Sequence, residues 1–382
     1  MTQPDAIVIG GGIAGVSIAA ELAERGLAVT LLEAEPTLAF HTTGRSAAQY
    51  LVNYGNTVVR VLTRASREFF ESGDEPLWSS RPFLRAGRAD HEATLRADVA
   101  EGQKLSPATE FLDGPSIREL MPVMREDVVA ALHEPDAMEL DVAAIHQTFV
   151  RRLRAVGGEI RSSERIISVD HGAHWTVTTD AGTTVEAPIV VNAAGAWGDQ
   201  VAQLADIAPC LLRPLRRTVA VVAIPSGIDA RRWPLVGFER GDGVMDAYCK
   251  PEPGGLLVSP ADETPSEPCD ARAEEIDVAL ALEGLRKWTT LEGRHVRTTW
   301  AGLRSFVADR NPVVGFAPDG PGFFWAIGQG GYGIQMSPGL ARVAAGLVVD
   351  GEIPIDLADA GITEADLSPT RPGLAGELTP GH

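Results

Sequence analysis

Gly10, Gly12 and Gly15 stand at GxGxxG spacing in the opening run DAIVIGGGIAG. At that spacing the first glycine permits a tight turn, the second lets a pyrophosphate approach the backbone, and the third packs a helix against a strand. The helix that follows offers unpaired N–H groups and the positive end of its dipole to phosphate oxygens. Glu33 closes the next apolar run, LAVTLLE, where a carboxylate accepts hydrogen bonds from a ribose diol. These residue types in this order suit a dinucleotide. The glycines alone do not say which one.

Three further stretches bear on that choice. Toward the C-terminus GFFWAIG runs into GQGGYGIQMSPG, a second glycine-rich turn from strand to helix. One dinucleotide needs a single such turn for its pyrophosphate. A second helix N-terminus aimed at the same ligand suits a flavin, whose N1–C2=O edge becomes negative on reduction. The small, hydroxyl-bearing run HTTGRSAAQY (41–50) lies where FAD would extend past the sheet, with room for backbone amides to approach its ring. PIVVNAAGAW reads as a buried strand ending in small residues, which let the backbone approach a cofactor. Together these point to FAD.

The elements that must position these residues follow from the pattern. DAIVIG, the helical VSIAAELAERG that stops at Gly26, and LAVTLLE form a βαβ unit, the signature of a parallel sheet. Residues 57–72 read as helical, and 81–140 break into short pieces with scattered prolines. Asp141 reads as the N-cap of VAAIHQTFVRRLRAVGG. Short strands follow, two of them joined by Asp180, Ala181 and Gly182, and 213–297 alternates and turns often. Ser337 reads as an N-cap with Pro338 in the first turn behind it. The predicted fold class is α/β, a discontinuous Rossmann-like FAD-binding domain with a second, mainly β antiparallel-sheet substrate domain. The first takes residues 1–80, 141–213 and 300–370, the second 81–140 and 214–299, and 371–382 reads as a flexible tail.

Composition narrows the partners. The 382 residues carry 33 Lys+Arg against 52 Asp+Glu, a net charge of −19, which repels nucleic acid and anionic lipid. Three cysteines, Cys210, Cys249 and Cys269, form no CxxC and suit a reducing compartment. With no signal peptide and no apolar run of bilayer length, the expectation is a cytoplasmic protein without a transmembrane segment. His171 and His174 lie in a turn without a further His or Cys cluster, so no metal site is expected. Glu134, Asp136, Glu139 and Asp141 read as a solvated acidic loop and a helix cap.

VIGGGIAG, HTTGRSAAQY, VVNAAGAW, RPLRRT, YCKPEPG, TWAGLRSFVAD and GFFWAIGQGGYGIQ run the length of the chain. In this order they resemble the D-amino-acid oxidase-like superfamily of FAD-dependent oxidoreductases, and most closely its D-arginine and D-amino-acid dehydrogenases. The resemblance implies hydride transfer from a substrate Cα–H to flavin N5, giving an imino acid that water hydrolyses to a 2-oxo acid. It implies a carboxylate clamp from Arg217 and Arg304, hydroxyls from Tyr248 and Tyr54, and a backbone carbonyl at Gly330–Gly331 for the amine. The fork of arginine suits that clamp, because it gives carboxylate two parallel hydrogen bonds. Around the cofactor the matched stretches bring Gly10, Gly12, Ile13, Ala14, Gly15, Glu33, Ala34, Thr43, Arg45, Ser46, Ala47, Ala48, Gln49, Ile166, Ala194, Gly195 and Trp197. From the C-terminal half they bring Gly302, Arg304, Gly330, Gly331, Tyr332, Gly333, Ile334 and Gln335. His41 does not match an attachment position and no cysteine stands at one, so the FAD is expected to be non-covalent.

Two positions depart from the pattern. Phe83 stands where the member for basic substrates has a glutamate, and Gln49 replaces a histidine, so proton transfer there is missing. A phenyl ring pairs with no guanidinium, which favours an apolar substrate side chain in a pocket of Phe83 and Met245. Asp246, two residues before Tyr248 and so on the same strand face, is the candidate for a compensating carboxylate. Oxidase and dehydrogenase chemistry both stay open, and with them the electron acceptor. Two alternatives are a 2-hydroxy acid dehydrogenase of the same superfamily and a non-catalytic flavin-binding subunit of an oxidase complex.

Overall fold

Ala6–Ile9, Val29–Leu32 and Phe323–Ile327 are buried at every position, as strands covered on both faces must be. The computed structural model describes residues 3–73, 76–241 and 244–379 and puts these three strands in one six-stranded sheet. Its order is Val313–Phe316, Phe323–Ile327, Ile189–Asn192, Ala6–Ile9, Val29–Leu32, Glu159–Arg161. All neighbours are parallel except the first pair. The helices Ile13–Glu24, Val142–Ala155 and Gly333–Val349 pack into one core with the sheet. On the other side a three-stranded antiparallel sheet, Ile166–His171, Trp175–Thr179 and Thr184–Ala187, closes a second core around Trp175 and Trp325. Asp141 caps its helix as expected, accepting from the Ala144 amide at 2.9 Å.

The helix Gly333–Val349 departs from the expected boundary. It begins at Gly333, four residues before Ser337, and carries Pro338 inside it. Pro338 has no N–H for the Ile334 carbonyl, and the Ser337 hydroxyl donates to that carbonyl instead at 3.0 Å. Ser337 therefore repairs a helix interior rather than capping an end. The earlier start also brings the helix N-terminus directly behind the glycines of GQGGYG.

A nine-stranded, mostly antiparallel sheet forms the other half of the molecule. Its order is Thr264–Pro265, Arg213–Val222, Gly255–Ser259, Val244–Glu252, Leu235–Gly241, Phe83–Gly87, Ala130–Glu134, Glu110–Asp113, and Val296–Phe306 pairs with Arg213–Val222 along its length. Helix Glu275–Trp288 covers one face through Ala281, Leu285 and Trp288. A bulge interrupts the alternation of Val244–Glu252: Ala247 faces Phe238, yet Met245 faces Glu239, so Asp246 is the extra residue. The described part of the expected flexible tail, 371–379, is tied to the fold. Arg371 is buried and donates to Asp309 at 2.7 and 2.9 Å, and the Thr379 amide bonds the Ala308 carbonyl. No helix among the described residues is long and apolar enough to cross a membrane.

Candidate functional site

Two adjoining cavities run across the C-terminal ends of the parallel strands, with about 900 and 1170 Å3 of open space. Gly12, Thr42, Thr43, Ala193, Gly195 and Ala196 line both, so the two form one trough. The outer part is walled by Gly10, Glu33, Ala34, His41, Ile166, Ala194 and Trp197. The inner part is walled by Ile13, Ala14, Arg45, Ser46, Ala47, Gly302, Arg304, Gly330, Gly331, Gly333 and Ile334, with Arg217 and Tyr248.

The glycine turn is built as its spacing requires. Gly10 has φ +110°, and a Cβ there would stand 2.5 Å from the Ala193 carbonyl oxygen. A Cβ on Gly15 would stand 1.8 Å from the Gly10 oxygen, so helix and strand meet only because both positions are glycine. The Gly11 amide donates to Glu33 at 2.6 Å, and buried His146 holds the Gly11 carbonyl at 3.0 Å. Thr43 accepts from the Ile13 amide at 3.0 Å, which locks HTTGRSAAQY onto the helix start. Among the described residues the Gly12 and Ala14 amides have no partner, and neither have those of Gly333 and Ile334 at the second helix. Two helix N-termini thus present free donors to one trough.

The inner end carries the cations. Arg217 lies opposite Gly302 and Arg304 opposite Leu215, so the two arginines are diagonal neighbours on one face of the sheet. Arg217 is already engaged: its Nε donates to the Asp262 carbonyl at 2.7 Å, and Glu263 lies 3.6 Å away. Arg304 has no hydrogen bond or ion pair among the described residues. Burial pulls its guanidinium down, and Tyr54, Tyr248 and Glu263 outweigh burial, leaving it above its ordinary value. Gly331 is what admits it, since a Cβ there would stand 3.0 Å from Arg304 Cζ. A charged fork with no carboxylate oxygen within 4.0 Å among the described residues faces the inner trough. That arrangement recognises a carboxylate.

Several expected residues stand elsewhere. Gly15, Ala48, Gln49, Tyr332 and Gln335 do not line the trough. Gln49 donates to the Arg81 carbonyl at 2.6 Å, and Gln335 accepts from the Leu51 amide at 3.1 Å, so both brace the backbone. Buried Tyr332 packs edge-on to Tyr54, ring centroids 4.9 Å apart. Tyr54, Phe83 and Met245 line a third cavity behind the inner trough. Asp246 does not join them: it pairs with Lys287 at 2.5 Å and accepts from Trp288 Nε1 at 3.0 Å. The bulge turns it to the helix side, so the two-residue period fails there. Glu134 corrects the solvated reading of the acidic run, since it is 5% exposed, accepts from Asn53, and is pushed up to about 7 by burial. His41 and Thr42 line the trough from inside the run HTTGRSAAQY, while Ser305, which also lines it, and His146, which holds Gly11 from behind, carried no signal in the sequence.

The trough passes a test for FAD on its own geometry. It is long enough to need two cavities, it has a carboxylate at one end, and free amides meet it from two helices. A family model described as FAD dependent oxidoreductase matches residues 5–347. FAD-dependent oxidoreductase domain-containing protein 1 of Xenopus laevis is 33% identical over 44% of this chain and 36% of its own length. Glycine oxidase of Bacillus licheniformis is 23% identical over 93% of this chain and 96% of its own. The chain therefore spans about a third of the first relative and nearly all of the second. The crystal structure of glycine oxidase from Geobacillus kaustophilus superposes with TM-score 0.82 at 20% identity, covering 97% of this chain and 99% of that one.

Proposed function

The chain belongs to the family of FAD-dependent oxidoreductases, and on that premise we propose that it oxidises an amino acid at Cα, D-enantiomers in preference. The observation that carries this reading is Arg304, a cation with no hydrogen bond or ion pair from its side chain among the described residues, at the inner end of a trough suited to FAD. The glycine oxidase relatives support an amino acid, and the likeness of TWAGLRSF and QGGYGIQ to D-amino-acid dehydrogenases supports the enantiomer. FAD, held without a covalent bond, would supply the acceptor for the two electrons removed at Cα.

Each side chain then has a defined task. Arg304 takes both carboxylate oxygens in its fork, and Arg217, steadied by Asp262, meets the same group from the diagonal position. The Tyr248 hydroxyl completes the clamp, and the backbone at Gly330–Gly331 accepts from the amine. Fixing the carboxylate and the amine leaves Cα one orientation, which is most of what this chemistry asks of a protein. The substrate loses the Cα hydrogen with its bonding pair and one N–H proton, a C=N bond forms, and water releases ammonium and a 2-oxo acid. In this reading the six-stranded sheet carries the cofactor and the nine-stranded sheet carries the substrate, inside a cytoplasmic enzyme. Trapping the 2-oxo acid and ammonium from the holoenzyme incubated with single amino acids tests it. Flavin reduction by 2-hydroxy acids alone would replace it with the hydroxy-acid reaction.

A further inference from the structure

The third cavity holds a second cation without an ion pair among the described residues, and the Glu134 carboxyl that also lines the cavity feels its charge. Arg60, the fourth residue of helix Thr57–Ala65, faces it, and its Nε is buried with no partner. The other charges lining it are engaged. Arg85 lies between Asp98 and Glu239, Glu101 pairs with Lys104, and Glu134 accepts from Asn53 at 3.1 Å. Among the described residues lining this cavity, Arg60 alone is a cation with no carboxylate oxygen within 4.0 Å.

The cavity shares no lining residue with the inner trough but neighbours it through two side chains. Tyr54 lines it and also raises the Arg304 guanidinium, and Met245 lines it while packing on Tyr248. Leu51, Phe83 and Leu132 add apolar wall to the cavity.

We propose that this cavity is the side-chain subsite of the reaction and that Arg60 binds a second carboxylate there, so the substrate class is an amino diacid. The proposal rests on the Cα-oxidation reading of the inner trough and names the substrate of that same site. It revises the apolar expectation drawn from Phe83, which supplies the stem wall but not the end group. A basic side chain fits less well. It would meet Arg60 and Arg85, and Glu134, pushed up to about 7 by burial, is a weak counter-ion near neutral pH.

Equilibrium binding to the holoenzyme separates this inference from the reading beneath it. Calorimetry with glutarate and with pentanoate compares a dicarboxylate and a monocarboxylate of equal chain length without any reaction. The expected result is glutarate at least tenfold tighter in the wild type, a ratio near one in Arg60→Leu, and a partly restored ratio in Arg60→Lys. Equal affinities in the wild type, or a glutarate preference that survives Arg60→Leu, would overturn the proposal. Anaerobic flavin reduction should be faster with D-glutamate and D-2-aminoadipate than with D-methionine or D-arginine, and the reverse order overturns it too. A glutarate preference that depends on Arg60, with no amino acid reducing the flavin, would uphold the dicarboxylate site and refute the amino-acid reading.

Discussion

Replacing Arg304 by leucine removes the charge that the inner trough leaves unpaired. The loss follows from what surrounds it. A substrate carboxylate in that place exchanges water for a charge-assisted fork, and truncating one partner of such a buried pair costs about 2–5 kcal/mol. Arg217 stays on the same face of the sheet, diagonal to the lost side chain, and recovers part of the attraction. The expected loss is therefore near the middle, about 3 kcal/mol, or roughly a hundredfold in kcat/KM at about 1.4 kcal/mol per tenfold. Arg217→Leu should cost less, about tenfold, because the Asp262 carbonyl and Glu263 already share its charge. FAD content should match the wild type in both variants. The assay is the rate of anaerobic flavin reduction against substrate concentration, with FAD quantified after acid precipitation. Normal reduction by amino acids in Arg304→Leu would refute the clamp.

Gly331→Ala should raise KM about tenfold with FAD retained, because the new methyl meets Arg304 Cζ at 3.0 Å and displaces the guanidinium; unchanged KM would deny that contact. Asp246→Ala should leave substrate preference intact and lower stability by only about 1 kcal/mol, since its Lys287 partner is half-exposed; a changed preference by substrate panel would return Asp246 to the pocket. Glu134 gives a pH signature. Its folded pKa of about 7 lies above the unfolded carboxylate value, so its contribution is present below about pH 4.5 and lost as pH rises to about 7. The loss is on the order of 3 kcal/mol, and Glu134→Gln should flatten that part of the wild-type profile of thermal stability against pH. A profile of equal slope in the two proteins would contradict the assignment.

What the sequence discloses depends on whether a feature is local. The parallel sheet and its glycine turn are legible because burial on both faces and close backbone approach leave a mark within about 30 residues. Register is a property of two strands. The bulge at Asp246 lies in the pairing with Phe238 and Glu239, and nothing in VMDAYCK announces it. Pro338 misleads for a related reason: proline favours a first turn, and only the Ser337 hydroxyl on the Ile334 carbonyl makes it tolerable deeper in the helix. The Pro/Gly-rich tail reads as loose, but its anchor, Asp309, lies 62 residues away in sequence. Glu134 and Arg60 look like ordinary surface charges, one in an acidic run and one in a short helix. Their meaning comes from the cavity they share.

The central claim, oxidation of an amino acid at Cα with its carboxylate on Arg304, is met most directly by anaerobic titration of the holoenzyme with paired D- and L-amino acids. The oxidised-flavin absorption should vanish with the D-enantiomers, yielding one 2-oxo acid per flavin, and persist when Arg304 is leucine at the same concentration. An absorption band that no amino acid removes, while a 2-hydroxy acid does, would contradict it.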